Sequence, residues 1–169
     1  SGRAEGPLVT LRLAAAAGLL GALMAVPPGR GETVHAAVAA NFTKVAERLA
    51  SGFEAATGND VVLSFGATGM LYTQITQGAP FEVFLAADHE RPTLAVDEGY
   101  GVPGSVFTYA VGQLVLYSVE PGKVGGAETL KAGEFEKIAI ANPETAPYGK
   151  AAVETMQALG VYDSLQPKI

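Results

Sequence analysis

The sequence predicts an α/β fold in which parallel strands alternate with helices and are shared between two lobes. Three observations predict it. Short apolar runs rich in β-branched residues alternate from residue 33 onward with stretches of helical period. The passages from strand to helix carry small and hydroxyl residues, as at Asn41, at Gly66-Ala67-Thr68-Gly69 and at Ala87-Asp88. Finally, residues 106–111 and 113–119 read as two consecutive strands, with Gly112 between them and no reversing turn. A run of that length suggests a crossing from one lobe into a second. The expected division is 1–31 as a signal peptide, 32–110 as lobe 1 and 111–169 as lobe 2.

Composition narrows the function. The net charge of −6 disfavours nucleic acid as a partner. The 49% apolar fraction is ample for a core, although tryptophan is absent. Cysteine is absent as well, which excludes disulfides, zinc-thiolate sites and thiol nucleophiles. An acidic protein that takes a small anion must do so through local dipoles rather than its overall field.

Arg3 and Arg12 precede an uncharged apolar run over 13–26, which Pro27-Pro28 breaks. This is the pattern of a secretory signal, with a cut expected near Glu32. The run is shorter than the ~20 apolar residues of a spanning helix, so the mature protein is expected to be soluble outside the cytoplasmic membrane.

The first strand is expected over 33–40. Asn41 then reads as the cap of a helix that carries Phe42, Val45, Ala46, Leu49, Phe53 and Ala56 on one face, with Gly58 past its end. A second strand over 60–65 leads to Thr68, which sits where a helix cap would sit, and Gly78-Ala79-Pro80 stops that helix. The next strand is expected over 82–86, and Asp88 opens a helix that Gly99 ends. In the second lobe a short helix over 128–132 and a strand over 137–141 are expected. Pro147-Tyr148-Gly149 opens a further helix with Ala152, Met156 and Leu159 on one face. In an open parallel sheet such junctions gather at the carboxyl ends of the strands. The unpaired N–H groups of helix N-termini make an anion the natural guest there.

Five motifs, in order, carry a family resemblance: Ala39-Ala40-Asn41-Phe42, Phe65-Gly66-Ala67-Thr68-Gly69, Gln77-Gly78-Ala79-Pro80, Val83-Phe84-Leu85-Ala86-Ala87-Asp88, and Ala141-Asn142-Pro143 leading to Ala146-Pro147-Tyr148-Gly149. With them the sequence resembles the periplasmic molybdate-binding proteins of ABC transporters. The resemblance implies a type II periplasmic-binding fold of two α/β lobes, the second lobe incomplete at residue 169. It implies capture of molybdate or tungstate for an importer whose permease lies in the membrane, by a periplasmic monomer that is not an enzyme and uses no cofactor. It also implies an oxyanion site made of Asn41, Thr68, the N–H of Ala87, and Tyr148, with backbone support from Ala40 and Gly69. Asn41 stands where a serine is commoner in the family.

Plainer readings stand beside these. Asn41 and Thr68 are good helix caps whatever the function, and Tyr148 is equally suited to covering a domain edge. Asp88 reads as a capping carboxylate, since a bare carboxylate would repel an anion. Asp88-His89-Glu90 invites a cation site, but consecutive helix positions do not share a face. Gly66-x-x-Gly69 lacks the Gly-Lys-Ser/Thr end of a phosphate loop, and no Ser-His-Asp or Cys-His set can be assembled. The alternatives are a receptor for sulfate or another oxyanion, an effector-binding domain of a regulator on the same fold, and an enzyme on that fold.

Overall fold

The computed structural model describes residues 31–169; the expected signal segment lies almost entirely outside the described residues. Strands β1 (Thr33–Ala39), β2 (Asp60–Gly66) and β3 (Val83–Leu85) form a parallel sheet in the order β2-β1-β3. The register pairs Ala39 with Gly66 and Val38 with Leu85, so all three carboxyl ends come level at one edge. Because β1 is central and its neighbours lie on opposite sides, the strand order reverses beside it. A crevice opens at such a switch point.

Helix α1 (Thr43–Thr57) connects β1 to β2, and α2 (Thr68–Thr76) carries the chain over to β3. Helix α3 (Glu90–Asp97) follows β3. The glycines expected to end these helices do so: Gly58, Gly78 and Gly99 have φ of 74°, 86° and 84°, which only glycine adopts without strain. The starts differ from expectation by a residue or two. Asn41 caps nothing; it sits inside a 3-10 turn (Ala40–Phe42), and Phe42 precedes α1. That turn is closed by Thr43, whose Oγ1 donates to the Ala40 carbonyl at 2.8 Å. Thr68 is the first residue of α2 rather than its cap, which is Ala67. Asp88 stands one residue before the cap of α3, which is His89, and its carboxylate accepts from the Arg91 N–H of the first turn at 2.9 Å.

The core of this region is small. Ala36, Val38 and Ala46 are buried, with Phe42, Leu63 and Leu85 packed around them. Of the apolar face expected for α1, only Ala46 is buried; Val45, Leu49 and Phe53 are exposed.

Helices α4 (Ala127–Ala132), α5 (Pro147–Ala158) and α6 (Tyr162–Leu165) follow. Leu130, Met156, Val161 and Leu165 make a second, separate core with Phe135, Ile138 and Ile140 beside it. Pro147 occupies the first turn of α5, where its missing N–H costs nothing. The strands expected over 106–111, 113–119 and 137–141 are not formed: these residues join no ladder among the described residues. The apolar pattern is present, but a strand exists only through hydrogen bonds to a neighbour.

Candidate functional site

The level carboxyl ends of β1 and β3 place the turn after β1 next to residues 86–89. The crossing segment and the start of α5 close the space in front of them. The result is a cleft of about 920 Å³ lined by Asn41, Phe42, Ala87, Asp88, Tyr109 and Tyr148 among others. Three of the expected site residues, Asn41, Ala87 and Tyr148, therefore meet at one cleft, although they lie far apart in sequence.

Thr68 does not line it. Its side chain is fully buried, and its Oγ1 accepts a hydrogen bond from the Ala87 N–H at 3.0 Å. Two groups expected to donate side by side to an anion are thus bonded to each other, with Thr68 behind the wall that Ala87 forms. The Gly69 N–H is also committed, to the Thr145 carbonyl at 2.9 Å. Glycine eases this approach: a Cβ at residue 69 would stand 3.2 Å from the Thr145 oxygen and 3.3 Å from its Cα, close enough to press the Thr145 backbone back by a few tenths of an ångström. Ala40 contributes its carbonyl to the turn described above and does not line the cleft.

The residue that sequence reasoning missed is Tyr109. Its hydroxyl donates to the Ala86 carbonyl at 2.7 Å. Its ring meets Phe42 edge to face, with centroids 5.1 Å apart. Burial, and then the neighbouring Tyr148, push its phenol above the usual tyrosine range. Within a run read as a strand, one aromatic among Thr108, Tyr109 and Ala110 gave no signal of this. Tyr148 lies against the main chain of the crossing segment: a Cβ at Gly112 would collide with its hydroxyl.

The cations at the rim are already engaged by carboxylates. Arg91 pairs with Glu90 at 3.2 Å and with Asp88 at 3.8 Å, and Lys150 of α5 reaches Glu90 at 3.5 Å. The donors the cleft offers a guest are neutral, an amide, phenols and backbone; the carboxylates of Glu82 and Asp88 also line it, each accepting a backbone N–H, from His35 and Arg91 respectively. No group of three or more His, Asp or Glu able to hold a metal ion occurs among the described residues.

A parallel sheet whose switch point opens onto a cleft is where α/β proteins recurrently bind small ligands. Residues 34–169 match the family model described as bacterial extracellular solute-binding protein, and the chain belongs to that family. Among curated relatives, the molybdate-binding protein of Rhodobacter capsulatus is 54% identical over 160 residues, covering 95% of this chain and 63% of its own length. The molybdate-binding protein of Azotobacter vinelandii is 49% identical, covering 89% of this chain and 60% of its own length. The chain thus spans somewhat under two thirds of the relatives it matches. Among solved structures, the periplasmic molybdate-binding protein of A. vinelandii superposes with a TM-score of 0.77 at 42% identity, over 80% of this chain and 60% of that one. The substrate-binding domain of a putative molybdenum ABC transporter from Clostridium difficile gives 0.62 at 27% identity, over 82% and 61%. The α/β fold with a parallel sheet is therefore that of the periplasmic binding proteins.

Proposed function

We propose that this chain belongs to a periplasmic receptor that captures molybdate, or its close analogue tungstate, for an ABC importer in the membrane, as a monomer and without chemical change to the ligand. The observation that carries this is the meeting of Asn41, Ala87 and Tyr148 at one cleft; in this reading 32–110 and 111–169 are the two lobes of a clamp. The names of the two most similar relatives given above support the choice of ion.

The Asn41 amide and the Tyr148 hydroxyl are the side-chain donors in this reading. Backbone N–H groups of the turn after β1 and of the first turn of α5 add to them, favoured by the helix dipole. Thr68 acts through Ala87 rather than by touching the ligand. Hydrogen bonds to a charged group contribute about 1.5–3 kcal/mol each, so a few neutral donors suffice. Such a site discriminates by protonation. Molybdate near neutral pH is a dianion with no proton, and each of its oxygens can accept. Hydrogen phosphate carries an O–H that would face donors and lose its partner, at a cost of about 1–3 kcal/mol.

Calorimetric titration of the exported protein tests this. Molybdate and tungstate are expected to bind, and phosphate to bind at least about tenfold more weakly, the factor that ~1.4 kcal/mol gives. Asn41→Asp exchanges two N–H donors for a carboxylate at the cleft and is expected to weaken molybdate by a factor on the order of 100 or more. Equal affinity for phosphate, or an Asn41→Asp protein that binds molybdate as the wild type does, would overturn the assignment.

A further inference from the structure

The carbonyl of Ala86 and the N–H of Ala87 belong to one peptide group, and each end of it has a side-chain partner. Tyr109 donates to the oxygen at 2.7 Å, and Thr68 accepts from the N–H at 3.0 Å. Thr68 is fully buried at the start of α2, while Tyr109 comes from the segment that crosses toward α4 and α5. The same Tyr109 ring packs against Phe42, the residue after Asn41. It also lies close enough to Tyr148 for the two phenols to influence each other.

We propose that Tyr109 is a positioning residue of the cleft: through its bond to the Ala86–Ala87 peptide and its contact with Phe42, it fixes the ends of β3 and β1 relative to each other and to Tyr148. This rests on the reading of the cleft as the ligand site. One side chain thereby touches or faces all three junctions that meet there. A peptide group held at both ends is polarised from both sides, and its orientation is set by two elements that are distant in sequence. Tyr109 itself need not contact the ligand. Its part is to keep the cleft wall in the geometry that the ligand finds, which lowers the ordering cost of binding.

The test uses the amide exchange of Ala87, read by nuclear magnetic resonance, together with molybdate titration of the same protein. Tyr109→Phe keeps the ring against Phe42 and removes only the hydroxyl. It is expected to speed exchange at Ala87 and to weaken molybdate, each about fivefold, the factor for one neutral hydrogen bond of ~1 kcal/mol. Exchange at Val38, in the centre of the sheet, is expected to stay unchanged; a general loss of stability would move both amides. Thr68→Val removes the acceptor at the other end and is expected to reproduce the Ala87 effect, whereas Thr68→Ser keeps the acceptor and is expected to behave as wild type. Circular dichroism identifies any variant that fails to fold, and the Thr68 pair then reads the same peptide from its other end. Unchanged Ala87 exchange in Tyr109→Phe, or in a folded Thr68→Val, would overturn the proposal. So would faster exchange at Ala87 with no change in a measurable molybdate affinity. A wild-type protein that takes no molybdate, beside faster Ala87 exchange in Tyr109→Phe, would remove the ligand assignment and leave the peptide clamp standing.

Discussion

Residues 33–97 and residues 105–169 have similar apolar patterns and reach different ends. In the first stretch every expected strand forms, and the middle of β1 is buried down to 0% exposure at Val38. In the second, each expected helix forms and no expected strand does; Val111 remains 87% exposed and Val119 82%. The difference lies in where the two kinds of element find their hydrogen bonds. A helix satisfies its backbone internally, so α4, α5 and α6 form and bring Leu130, Met156 and Leu165 into a core, against which Leu116, Ile138 and Ile140 of the unformed strands also pack. A strand has no partner within itself, and an apolar run without a neighbour stays extended and wet.

That contrast is open to direct attack by mutation. The largest effect should come from paired truncations measured by denaturant unfolding. Leu71→Ala empties a site only 2% exposed beneath the sheet and is expected to cost about 2–5 kcal/mol. Val115→Ala, at a side chain 77% exposed, should stay within about 0.5 kcal/mol. Comparable losses at both positions would mean that the second stretch is as well packed as the first. A smaller effect is expected where the two stretches touch. Gly69→Ala presses a methyl toward the Thr145 carbonyl, 3.2 Å away, and should cost about 1–3 kcal/mol while separating the two stretches. Small-angle scattering of the variant should show a slightly larger radius; an unaltered radius and stability would mean that this approach is loose. The smallest effect is assigned to the exposed bridge between α3 and α5. Glu90→Gln removes the partner of Lys150 and Arg91 and should change stability by under about 1 kcal/mol, less still at high salt. A larger, salt-independent loss would show that the ion pair holds the stretches together.

Much of the first stretch was legible in the residues. Gly58, Gly78 and Gly99 marked helix ends because a positive φ admits few alternatives. Asp88 marked a helix start because a carboxylate there meets free N–H groups. Asn41 and Thr68 were read as caps on the same logic, yet Asn41 entered a 3-10 turn and Thr68 moved one residue into the helix. A shift of one position changes what a side chain faces, and here it turned Thr68 inward onto the Ala87 N–H. Local pattern contains no information on that bond, nor on the one from Tyr109 to Ala86, because both depend on how distant elements dock. The three missing strands failed for the related reason that periodicity describes a face and says nothing of an edge.

The cleft has an optical consequence. The sequence contains six tyrosines and no tryptophan, and Tyr100, Tyr109 and Tyr148 all line the cleft. In most proteins tyrosine emission is lost by energy transfer to indole rings; these 169 residues hold no such acceptor. A guest that accepts a hydrogen from Tyr148, or tightens the contact of Tyr109 with Phe42, therefore acts on the emitters of this stretch of chain directly. Occupancy can be followed in the unlabelled protein, and the phenols that shape the cleft serve as its gauge.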